Sequence, residues 1–92
     1  MTSEKIQIKK LSKEKFENLK IKDWPIWEKE ASEFPWEYDE TEKCYIIEGE
    51  AEITTEDGKK FKIKKDDFVI FQKGLKCNWK IIKDIKKYYS FE

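Results

Sequence analysis

The sequence predicts an all-β domain, a sandwich or small barrel led by one short helix. Two observations carry that expectation. Roughly eight short runs show the apolar alternation or apolar clustering of strands. Turn chemistry separates them, with Asp57-Gly58 the strongest hairpin signal and Gly49 and Gly74 marking further breaks. A chain of 92 residues makes one domain with a modest core, and aromatic residues at 15% compensate for the few aliphatic ones.

The elements follow in order. In EKIQIKK, Ile6 and Ile8 alternate with polar residues and give a short strand. In LSKEKFENLK, Ser12 is placed to cap a helix, Glu14 falls in its first turn, and Phe16 and Leu19 are three apart. Pro25 biases Trp24 away from helix, so DWPIW reads as an extended lead-in. Phe34, Trp36 and Tyr38 recur at period two, the strand signature. CYIIE is read as ending one strand at a Glu48-Gly49 turn, with EAEITT starting the next. Asp57-Gly58 joins Ile53 and Thr55 to Phe61 and Ile63. DDFVIF is an apolar strand, Cys77, Trp79 and Ile81 alternate after Gly74, and IKKYYSFE is a last aromatic strand. The single domain, residues 1–92, divides into an N-terminal strand and helix over 1–23 and a barrel over 24–92.

Composition narrows the function. Twenty basic and twenty acidic side chains cancel, which argues against a nucleic-acid partner, since that would favour a basic stripe. Every basic residue is lysine. Without arginine there is no planar fork to clamp phosphate or carboxylate, and without histidine the commonest metal ligand and acid–base catalyst is missing. MTSEKIQIKK has no apolar stretch of signal-peptide type, and no apolar run approaches a membrane span, so no membrane partner is expected. Two cysteines without an export signal are expected as free thiols, and the cytoplasm as the location.

One spacing points further. Glu42 is followed by six residues and then Gly49, and Gly74 is followed by two residues and then Cys77. This layout resembles the two motifs of the cupin family, G-x5-H-x-H-x3-4-E-x6-G and G-x5-P-x-G-x2-H-x3-N. The two histidine positions of the first motif then fall on Trp36 and Tyr38, and the histidine of the second on Cys77. The second motif's first glycine is Asp66 here, its proline Gln72 and its asparagine Ile81. From residue 24 to 91 the chain looks like the small single-domain cupins grouped with the (S)-ureidoglycine aminohydrolase cupin domain and the ethanolamine-utilization Q proteins. The closing IKKYY resembles the Val-Arg-Lys-His-Tyr ending common in that group. The resemblance implies a double-stranded β-helix, a jelly-roll barrel, and a homodimer. The aminohydrolase holds manganese with Glu, two His and Gln. Those positions carry Trp36, Tyr38, Glu42 and Cys77 here, so its activity does not carry over.

Alternation puts Glu42, Cys44 and Ile46 on one face, which the cupin motif turns inward, and Cys77, Trp79 and Ile81 on another inward face. The expected pocket is an aromatic cup of Trp36, Tyr38, Glu42, Cys44, Cys77 and Trp79. Glu42 is the candidate acid or base, with a pKa raised if Trp and Tyr rings bury it and with the Tyr38 hydroxyl as a donor beside it. The plain alternative is an exposed Glu42 or one paired with a lysine. Glu42 and Cys77, with Tyr38 or Cys44 as a third ligand, are the candidate holders of a divalent metal; otherwise the cysteines are small buried hydrophobes. Trp24, Trp27, Trp36 and Trp79 could stack on a flat ligand, with Trp24 the one expected in the core, and the lysines are expected on a solvated surface. Three functions stay open: a small-molecule-binding cupin without histidine ligands, a metal-dependent enzyme acting on a small polar metabolite through Glu42, Cys77 and Tyr38, and a structural dimeric module.

Overall fold

A computed structural model describes residues 5–91. Along the chain run β1 (Ile6–Lys10), α1 (Lys13–Asn18), a 3-10 turn (Ile21–Asp23), β2 (Ile26–Lys29), β3 (Glu33–Glu37), β4 (Glu42–Thr55), β5 (Lys60–Lys64), β6 (Asp67–Phe71) and β7 (Lys76–Phe91). All strand pairings are antiparallel. Two long strands, β4 and β7, pair with each other and serve both ends of the fold. Toward one end the strand order is β1-β6-β4-β7-β2; toward the other, β5 joins β4 and β3 joins β7. The result is an all-β jelly-roll barrel with one short helix outside it.

Two expected pairs of strands are therefore one bent strand each. CYIIE and EAEITT are both parts of β4, and KCNWKII continues into IKKYY as β7. The corner of β4 is Gly49, whose φ is +95°. A Cβ there would lie 2.2 Å from the Asp84 carbonyl oxygen and 2.8 Å from the Ile85 Cα, so only glycine lets the two strands cross this closely. The register with β7 shifts in three steps between Ile46 and Ala51, the mark of bulged pairing. Across that bulge the buried positions change from 42, 44 and 46 to 51 and 53.

Elsewhere local chemistry behaves as the residues dictate. The Ser12 Oγ accepts from the Lys15 backbone N–H at 3.1 Å and caps α1. Phe16 of that helix meets Tyr45 edge-on at 4.8 Å on the outside of the barrel. The Asp57-Gly58 turn closes the β4–β5 hairpin, with the Gly58 N–H donating to the Thr55 carbonyl at 2.9 Å. Asp66, at a position where the cupin motif has glycine, keeps the left-handed backbone with φ +74°. Its N–H donates to the Ile46 carbonyl, and its Oδ1 accepts from the Tyr45 hydroxyl. Aspartate tolerates that conformation better than most residues, which accounts for the substitution. Gln72, at the motif's proline, donates its N–H to the Lys5 carbonyl at 2.8 Å, a bond proline could not make.

The core fills the inside of the barrel that the bent sheet encloses, with Cys44, Ile46, Ala51, Ile53, Ile63, Val69, Phe71, Trp79 and their neighbours. Trp24, expected in the core, is only half-buried and stands outside this cluster.

Candidate functional site

The inward face of β4 begins with a carboxylate. Glu42 is 4% exposed, which is costly unless the charge is compensated. Compensation comes from β7, where Ile85 and Lys87 continue the buried alternation and point the lysine into the barrel. The Lys87 Nζ donates to Glu42 Oε2 at 2.7 Å, and both side chains are 6% exposed. The same ammonium lies 4.9 Å from the ring centroids of Trp27 and Trp79 and 5.9 Å from that of Phe71. Carboxylate and ring faces together offset the desolvation of the ammonium.

Above this pair opens a cavity of about 470 Å³, lined by Trp27, Lys29, Phe34, Trp36, Tyr38, Glu42, Trp79, Lys87, Tyr89 and Phe91. Its aromatic walls are held in register by contacts with one another. Phe34 stacks on Trp79 at 6.2 Å with planes 5° apart, and Tyr38 stacks on Phe71 at 4.8 Å, also at 5°. The Trp79 Nε1–H donates to the Tyr38 hydroxyl at 3.1 Å, so both polar tips are satisfied inside the wall. Burial, aided by the nearby Glu42 carboxylate, pushes the Tyr38 phenol far above the ordinary tyrosine range and keeps it neutral. Trp36 and Phe91, each about half exposed, are the most open of the aromatic residues in the lining.

Four of the six residues expected in the cup, Trp36, Tyr38, Glu42 and Trp79, line this cavity. Cys44 and Cys77 do not: Cys44 has no exposed surface and Cys77 is 8% exposed, and both belong to the packed core. Burial pushes the Cys44 thiol up to about 12 and the Cys77 thiol up to about 11, with Lys87 pulling each the other way. Of Glu42's two plain alternatives, the lysine pair is what the structure has. Lys87 departs from the solvated surface expected of the lysines. Its place between Ile85 and Tyr89 on an alternating strand was the signal that it points inward. Trp27 reaches the site because β2 pairs with β7, setting Trp27 opposite Lys87.

Cupin folds imply a metal, and the donors here do not fit one. The carboxylate named as a ligand already accepts from the Lys87 ammonium, and that positive charge repels a second cation from the same oxygens. Cys44 and Cys77 are packed in the core and do not line the cavity with Glu42, and the Tyr38 hydroxyl already accepts from the Trp79 Nε1–H. Among the described residues no group of three or more His, Cys, Asp or Glu side chains is placed to hold an ion.

With this geometry in place, comparison with known proteins decides the family. The model of the EutQ-like cupin domain matches residues 16–89. The chain belongs to that family. A DUF861 family protein from Thermotoga maritima is 52% identical, superposes with a TM-score of 0.94, and is covered over 99% of its length by 95% of this chain. The EutQ protein of Clostridium difficile is 21% identical with a TM-score of 0.66, over 72% of this chain and 52% of that one. An ethanolamine utilization protein Q from Salmonella typhimurium LT2 is 18% identical with a TM-score of 0.65, over 94% of this chain and 68% of that one. These two distant likenesses bear on the fold alone. No curated protein matches the chain. Among the described residues no helix is long and apolar enough to cross a membrane.

Proposed function

We propose that this EutQ-like cupin is a small-molecule-binding module whose ligand seats in the aromatic cavity against the Glu42–Lys87 pair. The observation that carries this reading is a buried, hydrogen-bonded charge pair at an open cavity of about 470 Å³. Ligand sites are concave, mostly apolar and furnished with a few placed polar groups, and this volume lies within their usual range. Seven of the ten lining residues are aromatic, which selects flat or ring-bearing molecules.

The test is ligand-observed saturation-transfer NMR with flat probes such as indole and naphthalene derivatives, on the natural chain and on Trp36→Ser. Trp36 is half exposed, so its loss thins the cavity wall without emptying the core. Saturation transfer that weakens in Trp36→Ser supports the site. Absence of transfer for every probe at millimolar concentration refutes it.

The chain is also proposed to work as a homodimer. Ile26, 48% exposed, sits on β2 at the end of the strand order, where a second copy would cover it. Light scattering after size exclusion reads the mass, and Ile26→Lys should shift a dimer toward monomer.

A further inference from the structure

We propose that the cavity takes a flat neutral ligand through a lactam edge, resting on the binding function proposed above. The ligand's N–H donates to Glu42 Oε1, and its neighbouring carbonyl oxygen accepts from the Lys87 ammonium.

The two protein groups are each half used. Glu42 Oε2 takes the bond from Lys87, while Oε1 takes no bond within the described residues. Among those residues no buried side-chain nitrogen or oxygen lacks a partner. Oε1 is therefore not sealed in, and the space it opens to is the cavity that Glu42 lines. Lys87 has three N–H donors and spends one on Glu42. The ring faces of Trp27 and Trp79 lie around the others, and both rings also line the cavity. An acceptor and a donor thus stand side by side, since the Lys87 Nζ lies 2.7 Å from Oε2 of the same carboxylate. A lactam presents the complementary donor and acceptor on adjacent atoms of a flat edge.

Charge selects the same class. The pair is neutral as a unit, and the lining's other charged side chain, Lys29, is exposed, so a neutral ligand adds no net charge at the desolvated base of the cup. A ligand carboxylate would lie beside the Glu42 carboxylate and a ligand cation beside the Lys87 ammonium, and like charges repel strongly where water is excluded. Shape agrees, since stacked rings favour a planar body. A site that hydrogen-bonds such an edge rejects the analogue lacking it, because its own buried polar groups are then left unmatched.

The test is calorimetric titration with three flat probes of similar size: isoquinolin-1-one, which has the lactam; isoquinoline, which lacks it; and 1-naphthoate, an anion. The variant is Glu42→Leu with Lys87→Met, which replaces the pair by apolar side chains of similar bulk and so leaves no unpaired charge. The natural chain is expected to bind the lactam about tenfold or more tighter than either other probe, and the double variant to bind lactam and isoquinoline equally. Equal binding of all three by the natural chain overturns the lactam inference and leaves the cavity as a binding site. Tightest binding of 1-naphthoate, or a lactam preference that survives in the double variant, overturns it as well. No binding of any probe removes the binding function itself.

Discussion

Removing Lys87 alone should be among the most damaging single changes in this chain. In Lys87→Met the Glu42 carboxylate stays at a site where both partners' side chains are 6% exposed, and it loses the cation paired with it among the described residues. The rings of Trp27 and Trp79, placed 4.9 Å from the ammonium, then present their electron-rich faces to an apolar side chain beside a bare carboxylate. Breaking one side of a buried pair costs about 3–5 kcal/mol. At roughly 5 °C per kcal/mol for a domain of this size, the melting temperature should fall by about 15–25 °C. Glu42→Leu should cost less, because the ammonium keeps its ring faces, which are worth about 2 kcal/mol when desolvated. The double variant Glu42→Leu/Lys87→Met should return to within about 1–2 kcal/mol of the natural chain, since apolar replacement of a whole buried pair is often neutral. Urea unfolding at pH 7, followed by tryptophan fluorescence and circular dichroism, closes the double-mutant cycle. A Lys87→Met loss under about 1 kcal/mol, or single losses that simply add in the double variant, would refute the claim that the two charges hold each other in place.

Other sites give sharper contrasts. Gly49→Ala should cost well over the about 1–2 kcal/mol of a left-handed backbone alone, because its Cβ meets the Asp84 carbonyl oxygen at 2.2 Å. Gly58→Ala, with nothing within 4 Å of its Cβ, should cost only that backbone term; equal melting temperatures for the two variants would contradict the corner assigned to Gly49. The raised thiols predict an alkaline weakness. Cys44 keeps its proton in the folded state up to about 12, above the unfolded value of about 8.5. The stabilisation it gives is whole below the unfolded value and drains away as pH rises toward the folded one. The urea midpoint should therefore decline from pH 9 upward, and more gently in Cys44→Ala; parallel slopes would show that Cys44 contributes nothing there.

Much of the fold was legible because most of the strands announce themselves by local pattern. Phe34, Trp36 and Tyr38 mark β3, Asp57-Gly58 marks the hairpin, and Ser12 marks the helix start, each through chemistry carried by a few adjacent residues. The two long strands were not legible as such, because Gly49 signals a turn and a corner with the same residue. What separates them is the carbonyl of Asp84, thirty-five positions away in the chain. The site was half legible for a related reason. Glu42, Tyr38 and Trp79 were reached through motif spacing and alternation, which are local. Lys87 was hidden by composition: in a chain with twenty lysines, one more on a strand reads as surface. Its inward direction followed from Ile85 two residues before it, but its partner on another strand did not. Cys44 and Cys77 point inward as expected and still miss the cavity, since sharing an inward face does not say whether side chains or open space lie beyond it.

The pairing of Glu42 with Lys87 bears on why this barrel can do without histidine. Of the four positions that the cupin motifs assign to metal ligands, Trp36 and Tyr38 have become wall, Cys77 has become core, and only Glu42 keeps a charge facing inward. A lone carboxylate in that place would be untenable, and the positive charge that holds it is covalently part of β7. An ammonium so tethered does not dissociate, does not compete with free ions in solution, and leaves the buried pair without net charge toward an arriving ligand. Added manganese, zinc, iron or nickel should accordingly leave the melting temperature unchanged. A site with a Kd one hundredfold below the metal concentration would add about 2.7 kcal/mol, an increase of some ten degrees or more that a melting curve reads easily. A rise of that size in the natural chain, abolished in Glu42→Leu, would mean that a metal ion displaces Lys87 and that the tethered charge is only a placeholder.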